Sequence, residues 1–155
     1  MKDILNHISV DIVLPNYNSS SYIEETLNSI ISQSFKNWKL IIVDDNSDLK
    51  TKHILKQYET NKKIKIIWLK KNKGAGFCRN FAIRNSKSEY VAFIDSDDIW
   101  DKEKLSKQLT FMIENKYYFT YTNYNSFRYE NKKIDLKEIK PSKYFNFRKF
   151  IRDTS

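Results

Sequence analysis

The chain has 155 residues, with 28 Lys plus Arg against 19 Asp plus Glu, a net charge of +9, one Cys and only two glycines. Its 10 Tyr, 10 Phe and 3 Trp exclude a chain too polar to collapse, the lone Cys78 excludes a disulfide scaffold and suits a reducing compartment, and no apolar run approaches the ~18 residues of a bilayer crossing. One domain is expected, cytoplasmic because Lys2, Asp3 and Asp11 stand where a signal peptide would be apolar, with an anionic partner to match the positive charge.

Strand and helix patterns alternate through the first two thirds. Residues 10–14 are a β-branched apolar run, and Pro15, which cannot donate to a ladder, ends the expected first strand. Ser21 and Glu24 have the Ser-x-x-Glu spacing of a capping box, and Ile23, Leu27, Ile30 and Ile31 follow as one helical stripe. Residues 39–43 predict a second strand running into Asp44-Asp45-Asn46-Ser47-Asp48, and 50–59 a helix with Ile54, Leu55 and Tyr58 inward. A third strand is expected at 64–69, a helix at 76–85, a fourth strand at 90–94 ending in Asp95-Ser96-Asp97-Asp98, and a helix at 102–115. Beyond it, Tyr117, Phe119 and Tyr121 alternate with Tyr118, Thr120 and Thr122, which predicts one more strand before a basic, aromatic tail. This order argues for βαβ units, hence an α/β fold with a mostly parallel sheet flanked by helices. The polar clusters after strands one, two and four then meet at the carboxyl edge, where open α/β sheets bind ligands.

Asp95-Ser96-Asp97-Asp98 carries the most information. Carboxylates crowded at a strand end repel one another unless a cation or donors are present. Mg²⁺ or Mn²⁺ answers this, taking one or two carboxylates and completing its shell with water and phosphate. A surface turn with one Asp capping the next helix is the alternative. Asp45 gives the same topological signal after strand two, where an acid accepts from a ribose hydroxyl or a base N–H, whereas Ser47 or Asp48 reads as a helix cap. In Pro15-Asn16-Tyr17-Asn18 the Tyr17 ring offers a stacking surface, although the polar residues also suit any turn. Lys73-Gly74-Ala75-Gly76 opens a helix bearing Arg79 and permits close backbone approach to an anion. It has neither Walker nor Rossmann spacing, and a plain helix entry is the competing reading. Charge is also segregated: residues 50–87 hold twelve Lys or Arg and one acid, residues 89–103 six acids and one Lys.

In these four segments the chain resembles the family 2 glycosyltransferases, inverting enzymes of the GT-A fold that use nucleotide-diphosphate sugars. Residues 10–18 (VDIVLPNYN), 41–48 (IIVDDNSD), 72–80 (NKGAGFCRN) and 90–100 (YVAFIDSDDIW) carry the likeness, over about residues 8–115. The resemblance implies that Pro15 and Tyr17 border the nucleobase, that Asp45 binds it, typically uracil, and that Asn18 belongs to the same nucleotide site. It places Lys73, Gly74 and Arg79 along the nucleotide, Asp95 and Ser96 at ribose and diphosphate, and Asp97, with Asp95, as ligands of Mn²⁺ or Mg²⁺. The implied donor is a UDP-sugar and the implied acceptor a glycan or a lipid-linked sugar, in surface polysaccharide synthesis. Cys78 stands where the family usually has Ala.

Family members carry an Asp base well beyond the Asp-x-Asp motif. Here Glu130, Asp135, Glu138 and Asp153 are the only acids after residue 115, and none has that motif, so the base is unassigned. A chain truncated before its acceptor region is expected, with an inactive donor-binding or assembly module as the alternative. Residues 128–152, with nine Lys or Arg, three acids and Phe145, Phe147 and Phe150, suit peripheral contact with an anionic membrane. Nucleic acid is not expected as a partner, because the acidic cluster would repel phosphate. Homo-oligomerisation stays open.

Overall fold

Four apolar runs form the strands. In the computed structural model, which describes residues 7–130 and 133–140, β1 (Val10–Asn16), β2 (Trp38–Asp44), β3 (Ile64–Trp68) and β4 (Tyr90–Phe93) make one parallel sheet of order β3-β2-β1-β4. Between them run α1 (Ile23–Ile31), α2 (Leu49–Lys56) and α3 (Ala75–Asn85), and α4 (Lys104–Asn115) follows β4. The alternation along each strand divides the core. Val10, Ile12, Leu14, Leu40, Ile42 and Ile64 meet Ile23, Leu27 and Ile30 of α1, Leu55 of α2, and Leu105 and Leu109 of α4. Val13, Ile41 and Val43 meet Cys78 and Ala82 of α3 on the other face. Each fully buried Leu or Ile contributes about 1.5–3 kcal/mol, so β1, buried along its whole length, anchors the sheet.

Several boundaries differ from the sequence expectation. Pro15 lies inside β1, opposite Val43. The carbonyls of Val13 and Asn16 accept from Ile94 of the β4 side and Asp45 of the β2 side. Pro15 shares the Val13 side, where the β4 register ends at Phe93, so its missing N–H forfeits no ladder bond. The capping box does not form. The carbonyl of Ser19 accepts from Tyr22 and Ile23, and Tyr22 is the N-cap, which leaves Ser21 one residue too early to cap. Ile31 is exposed, while Thr26 and Ser29 share the buried face of α1 with the apolar stripe.

The largest departure follows α4. Residues 117–122 form no strand. Alternation alone supplies no partner, and Gln108 instead donates to the carbonyl and hydroxyl of Thr120, at 3.3 and 2.9 Å. A separate antiparallel hairpin comes later, β5 (Tyr124–Glu130) with β6 (Lys133–Ile139). Much of the basic, aromatic segment expected to meet a membrane, with Phe145, Phe147 and Phe150, and Asp153 beyond it, lies outside the described residues, as do Lys2 and Asp3. Among the described residues no helix is long and apolar enough to cross a membrane.

Candidate functional site

The carboxyl ends of β1, β2 and β4 and the start of α3 surround an open cleft of about 240 Å³, lined by Pro15, Asn16, Tyr17, Asp45, Ala75, Cys78, Arg79, Asp95, Ser96 and Asp97. Residues as far apart in sequence as Pro15 and Asp97 are thus brought together at one edge. Six of the residues singled out in sequence line it: Pro15, Tyr17, Asp45, Arg79, Asp95 and Asp97, with Ser96 a seventh. Asn18, Lys73 and Gly74 lie just outside the lining.

These last three build the walls. Asn18, at φ 49°, donates its N–H to the Ser47 hydroxyl at 3.0 Å and accepts from Asp48 N–H at 2.8 Å. Asp48 in turn caps α2 by accepting from Thr51 N–H at 2.7 Å. Lys73 and Gly74 each donate a backbone N–H to one oxygen of Asp45, both at 2.7 Å. Gly74 has φ 84°, a conformation in which a side chain is strained. At Gly76 a Cβ would meet open space. Asp45 therefore fastens the glycine loop while it lines the cleft, a use that its position after a strand did not reveal.

Asn16 was not singled out in the sequence, yet it is almost fully buried and lines the cleft. Its amide donates to Asp44 at 2.9 Å and to Ser47 at 3.2 Å, and its carbonyl oxygen accepts from Ser19. Asp44 also accepts from Ser47 N–H at 3.1 Å. This network ties the loop after β1 to the loop after β2, leaving the Tyr17 ring half exposed. Ala75, Cys78 and Arg79 were legible in principle, since positions i, i+3 and i+4 share one helix face. Burial, with the Asp45 carboxylate nearby, pushes the Cys78 thiol up to about 11, so it stays a neutral wall.

The acidic loop is electrostatically unsettled. Arg79 donates to Asp95 at 2.5 Å across the cleft, an exposed ion pair joining the basic and acidic halves. Burial, then the Asp95 and Asp97 charges, raise the Asp98 pKa. Asp98 does not cap α4, whose N-cap is Glu103. Nearby, Lys104 sits 3.7 Å from the Trp100 ring centroid, and burial lowers its pKa to about 8 against the opposing pull of Asp98.

Among the described residues no group of three or more His, Cys, Asp or Glu is placed to hold a metal by itself. Asp97 and Asp95 at the cleft supply one or two carboxylates, the number Mg²⁺ or Mn²⁺ takes when phosphate oxygens and waters complete an octahedron. The donor set fits an ion whose shell a diphosphate completes.

The Glycosyl transferase family 2 profile matches residues 11–154. TuaG of Bacillus subtilis, named for teichuronic acid biosynthesis, is 42% identical over 127 residues, covering 81% of this chain and 50% of its own. Escherichia coli WfgD, named a UDP-Glc:α-D-GlcNAc-diphosphoundecaprenol β-1,3-glucosyltransferase, is 34% identical over 134 residues, covering 86% of this chain and 52% of its own. The solved structure of S. aureus TarS 1–349 in complex with UDP-GlcNAc superposes with a TM-score of 0.64 at 35% identity, covering 69% of this chain and 32% of that one. The chain thus spans about half the length of these two curated relatives.

Proposed function

The chain belongs to glycosyl transferase family 2, with the GT-A architecture of its structural neighbours, and from that premise we propose that its cleft binds the nucleotide-diphosphate part of a UDP-sugar. The carrying observation is the composition of the cleft: the Tyr17 ring and the buried Asp45 line the same opening as Arg79, Asp95 and Asp97. Tyr17 offers a ring face to uracil. Asp45, whose oxygens each accept one backbone N–H, retains lone pairs for the base N–H. Arg79 exchanges Asp95 for phosphate oxygens, an exchange the exposure of their ion pair permits.

Asp97, with Asp95, would hold Mn²⁺ or Mg²⁺. When bound, that ion supplies positive charge to the departing diphosphate. An acceptor hydroxyl then displaces UDP in one inverting step, after losing its proton to a base. Glu138 of the hairpin pairs with Lys140 at 3.2 Å, and we assign it no part in catalysis. A lipid-linked or glycan hydroxyl as acceptor is supported by the name of WfgD, which gives a GlcNAc-diphosphoundecaprenol, and by that of TuaG, which gives teichuronic acid biosynthesis. Calorimetric titration with UDP and Mn²⁺ tests donor binding: UDP binds more tightly than CDP or GDP, and equal affinities for all three would contradict the Tyr17 and Asp45 assignment.

A further inference from the structure

One face of α1 bears polar groups that the proposed function does not use. Thr26 and Gln33 are fully buried and Ser29 nearly so, at positions i, i+3 and i+7. Beside bonds within α1, each has a partner in the segment that carries the acidic motif. The Thr26 hydroxyl donates to the Ser96 carbonyl at 3.0 Å. The Ser29 hydroxyl donates to the Thr26 carbonyl at 2.7 Å and accepts from Trp100 N–H at 3.2 Å. Gln33, just past the helix, donates from Nε2 to the carbonyls of Ser29 at 3.2 Å and Asp101 at 2.7 Å, and its Oε1 accepts from Leu105 N–H at 3.1 Å.

We infer that Thr26, Ser29 and Gln33 are positioning residues, a polar rail on α1 that holds the 96–105 backbone so that Asp97 faces the cleft for a metal-bound diphosphate. The inference rests on the nucleotide reading above. Thr26 grips the residue immediately before Asp97, Ser29 grips the main chain three residues after it, and Gln33 joins the end of the loop to the first turn of α4. Like-charged Asp95, Asp97 and Asp98 stand within four residues of one another and push this loop apart. Burial of Thr26, Ser29 and Gln33 makes the rail stringent, because a buried hydroxyl or amide left unpaired costs more than its bond is worth. Generic packing would be served by apolar side chains on this face. The three polar groups instead hold backbone atoms at Ser96, Trp100, Asp101 and Leu105, on both sides of Asp97 in the chain.

The test uses Thr26→Val and Ser29→Ala, which remove single hydroxyls, and Thr26→Ser, which restores one. UDP affinity is measured by calorimetry with and without Mn²⁺, and amide hydrogen exchange is followed across residues 95–105. Thr26→Val is expected to reduce the Mn²⁺-dependent gain in UDP affinity about fivefold, the scale of one net hydrogen bond, with metal-free UDP affinity unchanged and Thr26→Ser near wild type. Ser29→Ala is expected to speed exchange at Trp100. A purely structural role predicts an unchanged Mn²⁺ gain, or equal losses with and without metal, and either overturns the inference. Wild-type protein that gains nothing from Mn²⁺ contradicts the proposed metal site itself and withdraws the rail's function, even where exchange at Trp100 responds.

Discussion

Asp11 at the amino end of the parallel sheet and the acidic loop after β4 at its carboxyl end show carboxylates in opposite settings. At the amino end, Asp11 is 3% exposed and accepts from the Ser86 hydroxyl at 2.8 Å, Lys87 N–H at 2.7 Å and Ser88 N–H at 3.0 Å. Burial pushes its pKa up, but these donors outweigh burial and hold it below the ordinary value of 3.8. At the carboxyl end, Asp95, Asp97 and Asp98 crowd one another, and the Asp98 pKa is raised. A carboxylate fully met by donors belongs to the architecture, whereas crowded carboxylates at a cleft are what the proposed ligand site needs.

Breaking the amino-end carboxylate has the largest expected effect on stability. Asp11→Ala strands the Lys87 and Ser88 N–H groups and lowers unfolding free energy by about 2–3 kcal/mol, read by urea denaturation, with UDP affinity unchanged. The sign with pH follows from its depressed pKa. The stability Asp11 contributes is present above about pH 3.8 and is lost as pH falls through the lower folded value. The gap between wild type and Asp11→Ala therefore closes in that acid window.

Asp45 stands between the two classes, since it is buried and yet lines the cleft. Asp45→Asn sets an amide NH₂ against one of the two loop N–H donors. It is expected to cost about 1–2 kcal/mol of stability and, through the released glycine loop, to weaken UDP binding about tenfold, measured by melting and calorimetry together. An effect on stability alone would move Asp45 to the architectural class.

The smallest effect comes from relieving crowding. Asp98→Asn in metal-free protein is expected to raise stability slightly, within the ~0.5 kcal/mol usual for exposed substitutions. A clear loss of stability would show that Asp98 is already compensated.

The sheet was legible because its strands are buried runs with no competing pattern, and the three polar clusters at their ends gave the site its location. What escaped was decided by tertiary pairing. Pro15 stays in β1 only because β4 stops beside it. The aromatic alternation of residues 117–122 marks a face but not a mate, which residues 124–130 find in 133–139. Gln33 follows a helix with no pattern to mark it, and two of its three side-chain hydrogen bonds reach Asp101 and Leu105, 68 and 72 positions away. Asn16 was visible as a turn residue, yet its burial depends on Asp44 and Ser47 folding over it.

The central claim is that the carboxyl-end acids serve a metal-dependent nucleotide and not the fold. It is tested most directly by calorimetry of UDP with and without Mn²⁺ on wild type and Asp97→Ala, with melting temperatures on the same samples. The account predicts that Asp97→Ala loses the Mn²⁺-dependent gain in affinity while its melting temperature stays at or above that of wild type. An Asp97→Ala protein that keeps the gain would contradict it.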